Sequence, residues 1–222
     1  MKNSKYVLSL LFIYTCMLAL PMLYGCATST RVVSSWKAGE TKLQAYNNVL
    51  VIGLMGAKDR EIRESTENAL VSALEAQGIH AVSSFKMYGP AQFGNPDDKN
   101  VDLKINRDGY DAAFAVSLLD KEKERDYAPG AMINTPYHGG YNNFWPYYNT
   151  MYSRVYTPDY YGSTTNYILE ANFYILPKGE LKYSAQTETF DPSSAKELAK
   201  EFTKAITDDM QKKGVVPGLA KK

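Results

Sequence analysis

The chain has 222 residues, with 25 basic and 24 acidic side chains, 45% apolar residues and two cysteines. A charge balance this even lacks the basic excess that a nucleic-acid-binding face requires. It is also long enough to bury a real hydrophobic core in one domain.

The first 25 residues read as a secretory signal that is not part of the fold. Lys2 and Lys5 form a positive start, a mostly apolar run extends from Tyr6 to Leu20, and "LYGC" follows at Leu23–Cys26. A charged start, a short apolar run and a small residue before the cut define such signals. The alternative is an uncleaved membrane anchor. Tyr6–Tyr24, broken by Ser9, Thr15 and Pro21, is a marginal span for that role. Removing residues 1–25 takes away two lysines and no acid, leaving 23 basic and 24 acidic side chains. Cys16 leaves with the signal, so Cys26 is the one remaining cysteine, and no disulfide is expected. We expect a tether over 26–30, a single α/β domain over 31–216 and a tail at 217–222.

Arg31–Lys37 ("RVVSSWK") reads as a short strand and Gly39–Asn48 as a loop. Val49–Leu54 is an apolar run suited to a strand covered on both faces. Asp59 is placed to cap a helix whose apolar face is Ile62, Thr66, Ala69, Leu70, Ala73, Leu74 and Ala76, and which closes at Gly78. His80–Phe85 reads as a second strand, parallel to the first because a helix joins them. Asn95–Pro96 suggests a further helix ending near Gly109, although Val101, Leu103 and Ile105 also alternate as in a strand. Ala112–Leu119 is the next strand. Tyr167–Ile175 and Leu181–Thr189 alternate around "PKGE" as a hairpin. A last helix is expected from Asp191–Pro192 to Gly214, with Ala195, Leu198, Ala199, Phe202, Ala205, Ile206 and Met210 on its buried stripe. The expected architecture is an α/β mixed-sheet sandwich: a βαβαβ core, a β-hairpin and a C-terminal helix.

Three stretches carry a family resemblance: the "LYGC" site followed by "TRVVSSWK", the block "VLVIGL…REIRESTENALVSALEAQGIHAVSS", and the ending "FDPSSAKELAKEFTKAITDDMQKKGVV". Together they resemble a family of bacterial lipoproteins without an assigned activity. The fold is more loosely similar to the N-terminal domain of TolB and to the lipoproteins that activate penicillin-binding proteins. The resemblance implies cleavage before Cys26, diacylglycerol on its sulfur and acylation of its new amine. Tyr24 departs from the small residue usual in that motif. Ala27, in place of Asp, implies sorting to the outer membrane; the periplasmic face is expected, with the surface face left open by the sequence. If Arg31–Lys37 is docked on the sheet, about four residues, or about 14 Å of chain, separate the domain from the lipid. That is too short to reach an inner-membrane enzyme.

No catalytic pattern emerges. His80 and His138 are 58 residues apart with no carboxylate motif beside them, which makes a poor metal or acid–base site. Gly53 and Gly56 lie where phosphate-binding loops sit but lack the glycine spacing and read as tight-turn glycines. Lys58, Arg60 and Arg63 could attract an anion, but read more simply as a solvated helix start. Asp97–Asp98 and Asp208–Asp209 read as solvated faces. The expectation is a protein that is not an enzyme and needs neither cofactor nor metal.

From Asp120 to Thr165 the pattern stops, starting with the charge cluster "DKEKERD", read as a surface turn. A connection of this length is functional or disordered. Within it, Tyr137–Tyr161 has ten aromatics among 25 residues, eight of them tyrosine, with Arg154 and Asp159 its charged residues. Tyr137, Tyr141 and Trp145, then Tyr148, Tyr152, Tyr156 and Tyr160, recur every four residues, which keeps one face in a strand and nearly so in a helix. Tyrosine offers contact area at low entropic cost with a hydroxyl at the rim. These seven rings and Arg154 are the candidate binding residues, for an envelope protein or for peptidoglycan or another glycan. The competing reading is that the rings cover one face of the sheet.

Overall fold

The computed structural model describes residues 30–39, 46–90, 105, 107–124, 143–145, 147, 164–176 and 178–216. Its elements are β1 (Thr30–Lys37), β2 (Val49–Leu54), a 3-10 turn (Ala57–Asp59), α1 (Arg60–Glu75), β3 (Ala81–Ser83), α2 (Ser84–Tyr88), β4 (Ala112–Glu124), β5 (Thr164–Ile175), β6 (Glu180–Phe190) and α3 (Ala195–Lys212). Among the described residues no helix is long and apolar enough to cross a membrane. The six strands form one mixed sheet in the order β1-β6-β5-β4-β2-β3. β2 is parallel to both β3 and β4, as a helical crossover demands. β4, β5, β6 and β1 are antiparallel to their neighbours. The mixed α/β fold and its C-terminal helix are as expected from the sequence. The helix expected after Asn95 lies mostly outside the described residues, which retain Ile105 and Arg107 as helical and Ile105 as fully buried.

The sheet has a core on each face because β2 and the middle of β4 are apolar on both. Val49, Val51, Phe114, Val116, Leu169 and Phe173 meet the apolar stripes of α1 and α3: Ile62, Leu70 and Leu74, and Leu198, Phe202, Ile206 and Met210. Leu50, Ile52, Leu54, Ala113, Ala115 and Tyr174 point the other way, to Ile105, Tyr110, Phe144 and Tyr147.

One buried carboxylate sets the shape of the β2–β3 edge. Glu67, on α1, is fully buried. It accepts hydrogen bonds from Gly53 N (2.9 Å), Arg63 Nε (3.1 Å), Ser83 Oγ (2.7 Å), Ser84 Oγ (2.9 Å) and Phe85 N (2.7 Å). The last β2–β3 pair is Val51 with Ser83, so Gly53 lies two residues beyond it, and its N–H goes to Glu67 instead of a strand. Phe85 N is one of the free amides in the first turn of α2, where a carboxylate is favoured. Ser83 caps the same helix, accepting from Lys86 N at 3.1 Å. The expected strand His80–Phe85 therefore stops after three residues and becomes helix.

The same contacts correct two glycine and charge readings. Gly53 is not a turn glycine: it lies inside β2, and a Cβ there would stand 2.7 Å from Arg63 Cγ. Arg63 is not part of a solvated helix start. It is 7% exposed, ion-paired to Glu67, bonded to Ser84 Oγ and seated over the Phe85 ring. Asp59 precedes α1 without a side-chain capping bond, and its carboxylate instead meets Lys121 Nζ at 3.1 Å.

Two further expectations change. "DKEKE" is not a surface turn: Asp120–Glu124 extends β4, paired with Ile168–Thr164 of β5 beyond a register shift at Leu118. Lys121 is held there by Asp59 and by the Tyr167 ring, 5.3 Å from its Nζ. The gap between strands thus shrinks to 125–163. α3 starts at Ala195 rather than at Asp191–Pro192. Ser194 caps it by accepting from Glu197 N at 3.1 Å, and Glu197 reaches back to accept from Ser193 N at 2.8 Å, a capping-box arrangement. Those two donors, the Ser193 hydroxyl and then its amide, lower the Glu197 pKa.

Breaking the Glu67 network leaves a buried guanidinium, two amides and two hydroxyls without their acceptor. Glu67→Gln should cost about 3–5 kcal/mol of stability, and Gly53→Ala about 1–3 kcal/mol through forced displacement of Arg63. Arg31→Gln, which breaks a surface pair with Glu188, should cost under about 1 kcal/mol. Urea denaturation of the three variants checks the ranking.

Candidate functional site

The described part of the tyrosine-rich excursion turns inward. Asn143 forms an isolated antiparallel bridge with Glu180, and Phe144 N donates to Gly179 O at 3.1 Å. Gly179 makes this possible: its φ is +65°, and a Cβ would lie 2.8 Å from Asn143 Oδ1. Asn143 O accepts from Tyr147 N at 3.3 Å, closing one helical turn that puts Phe144 and Tyr147 on the same side. Both are buried, and both rings pack on Tyr174, with centroids 5.4 and 5.8 Å away. Trp145 packs edge-on against Phe144 at 4.8 Å and is only partly buried.

Tyr147 ends in a polar cluster at the middle of the sheet. Its hydroxyl donates to Glu170 Oε2 at 2.5 Å, which leaves the Ser117 hydroxyl, 2.9 Å away, to donate to the Tyr147 oxygen. Glu170 is 1% exposed and also accepts from Asn172 Nδ2 (2.9 Å) and Gln186 Nε2 (2.8 Å). Burial first, then the Glu170 carboxylate, push the Tyr147 phenol well above its usual pKa. This arrangement pins the excursion to β4, β5 and β6. Among the described residues it brings together one carboxylate, two hydroxyls and two amides.

The other sequence-predicted residues fall as follows. Tyr137, Tyr141, Tyr148, Tyr152, Arg154, Tyr156 and Tyr160 lie outside the described residues, as do Cys26, His138 and Asp97–Asp98. Trp145 is brought to the sheet face beside Phe144. His80 is exposed, as a surface histidine should be. Asp208 is a surface residue paired with Lys204 at 2.6 Å, but Asp209 is not solvated in the way the sequence suggests. It accepts from Tyr183 OH at 2.8 Å and Ser35 Oγ at 3.0 Å, tying α3 to β6 and β1. Burial and then the Asp209 bond raise the Tyr183 pKa. Among the described residues no group of three His, Cys, Asp or Glu could hold a metal ion.

Sequence reasoning passed over two surfaces. On β1, Trp36 is 50% exposed and Val33 54% exposed, Trp36 paired with Ser184 on the same face of the sheet as Gln186 and Glu170. Between β1 and α3 a groove of about 310 Å³ is lined by Thr30, Val32, Glu201, Lys204, Asp208 and Asp209, among others. Trp36 was visible as a ring in an edge strand, where an apolar exposed side chain is unusual. The groove had no local signal, because its two walls are about 170 residues apart in sequence.

No family model matches the chain, and no curated protein does either. Among solved structures it is similar to a PelC dodecamer from Paraburkholderia phytofirmans, at 10% identity and a TM-score of 0.40, over 82% of this chain and 94% of that one. The L103M PelC dodecamer gives the same identity and TM-score over 80% and 96%. The lipoprotein GNA1162 from Neisseria meningitidis is similar at 11% identity and a TM-score of 0.41, over 75% of this chain and 99% of that one. Similarity at this level bears on neither activity nor assembly.

Tyr147→Phe strips Glu170 and Ser117 of a shared buried partner and should lower stability by about 1–3 kcal/mol, read by urea denaturation. The raised Tyr147 and Tyr183 pKa values also set an alkaline limit. A phenol whose folded pKa is above its unfolded one stabilises fully below the unfolded value near ~10 and loses that contribution as pH rises past it. Absorbance at the phenolate band should show these two tyrosines ionising only together with unfolding.

Proposed function

We propose that the chain is a lipoprotein, cleaved before Cys26 and acylated there, that holds a non-catalytic domain on the periplasmic face of the outer membrane and binds an envelope protein through its tyrosine-rich excursion. The observation that carries this reading is the position of β1. It begins at Thr30, four residues after the "LYGC" cysteine, and pairs with β6 from its first residue. The domain would therefore sit close against the membrane that holds the lipid, within reach of partners in or beside that membrane.

The inward-facing rings support a defined role for the excursion. Phe144 and Tyr147 fix one point of it to the sheet. Such anchoring lowers the ordering cost of a binding segment. Exposed Trp36 and Val33 on β1 add apolar contact area. The second reading, contact with peptidoglycan or another envelope glycan, is favoured by the tyrosine faces, which stack on sugars.

The test must spare the core. Deleting Tyr137–Tyr161 would remove Phe144 and Tyr147 and unfold the domain, whereas a Tyr152→Ser, Tyr156→Ser, Tyr160→Ser variant leaves them in place. In cells, crosslinking of the intact chain should trap an envelope protein that the triple variant no longer traps, and Cys26→Ala should release the chain from the membrane fraction. Pelleting of the chain with purified peptidoglycan, lost in the triple variant, would replace the protein partner with the glycan. Unchanged crosslinks and no pelleting would overturn both.

A further inference from the structure

Several features lie at one end of the sheet. Thr30 pairs with Thr189, and the next β6 residue, Phe190, pairs with Asn166 near the start of β5. Glu124, the last residue of β4, pairs with Thr164, the first of β5. The last β2–β4 pair, Leu54 with Ser117, leads into the 3-10 turn and the N-terminus of α1, and the N-terminus of α3 follows Phe190. The opposite end holds Lys37, the Gly179 turn and the closing turns of α1 and α3.

From this we infer that the Thr30 end of the sheet is a lipid-contact surface, with Phe190 at the bilayer interface. The inference rests on the proposed acylation of Cys26. Three residues, Ala27, Thr28 and Ser29, separate that cysteine from Thr30, which allows at most about 14 Å. Thr30 cannot swing free of the domain. Its hydroxyl lies 2.7 Å from Thr189 Oγ1 and donates to Glu201 Oε2 at 3.0 Å, joining β1 to β6 and to α3. β1 alone is about 26 Å long. A tether fixed at Thr30 is therefore too short to let the far end face the bilayer.

Phe190 selects the end over the sides. It is 51% exposed at the lip of β6, one residue past the partner of Thr30, and among the described residues it is the exposed large apolar side chain nearest to Thr30. Phenylalanine is among the apolar side chains that surface-bound segments bury at the headgroup–acyl boundary. Trp36 lies six residues up β1, about 20 Å from Thr30, and so stays clear of the lipid for a different partner.

Site-specific labels on the intact acylated chain, reconstituted in vesicles with a headgroup quencher, test this. The mature sequence has Cys26 as its one cysteine, so Lys196→Cys and Lys178→Cys each add a single thiol. Both positions are exposed, Lys196 at the start of α3 and Lys178 at the far turn. The expected result is quenching at Lys196→Cys and its loss at Lys178→Cys, with Phe190→Ser weakening the first. Equal or reversed quenching in vesicle-bound protein overturns the orientation and leaves the anchor standing. A chain that does not float with vesicles overturns the anchor, and the orientation with it.

Discussion

The buried Glu67 carboxylate is the interaction on which this fold most depends. Five donors converge on it from four elements, and each would be an unsatisfied buried group without it. It takes the β2 amide that β3 is too short to reach, and it supplies the negative charge at the start of α2. Arg63, one turn earlier on α1, balances its charge and seals the site against Phe85. Gly53 is the steric complement, since its missing side chain is what lets Arg63 approach β2. Local propensity alone would let β3 run on, and a carboxylate on the preceding helix ends it.

That origin explains where the sequence was readable. β2, α1, the β5–β6 hairpin and α3 follow from apolar periodicity, which needs only nearby residues. The turn into α2 was hidden because its cause, Glu67, sits 16 residues before Ser83 and looks like an ordinary helix acid. Lys121–Glu124 read as a surface turn because charge argues for solvent. The strand is set by pairing with Thr164–Tyr167, and Asp59 neutralises Lys121 across the sheet edge. Asp209 was similarly misjudged from its acidic neighbour, although the hydroxyls of Tyr183 and Ser35 hold it half-buried.

In the tyrosine-rich stretch, the described anchors are residues that the spacing argument did not group. Steps of four linked Tyr137, Tyr141 and Trp145, while the contacts that anchor the stretch come from Phe144 and Tyr147, three apart on one helical turn. The sequence posed two readings, core cover or binding surface, and the described rings Phe144 and Tyr147 are core. Glu170, which receives Tyr147, had no sequence signal beyond an acid in a strand that otherwise alternates with apolar residues. A buried acid there has meaning only once the Tyr147 hydroxyl, Asn172 and Gln186 are seen around it.

The functional account joins the short tether to this anchored excursion: a lipid at Cys26, an ordered strand from Thr30 and an aromatic segment fixed to the same sheet through Phe144 and Tyr147. Everything proposed about partners and orientation depends on the lipid. Mass spectrometry of the chain purified from its native membrane addresses that directly. The account predicts a mature protein lacking residues 1–25, with an N-terminal peptide whose Cys26 carries diacylglycerol and an acylated amine. A chain that retains Met1–Gly25, or a Cys26 with a free thiol, would contradict it.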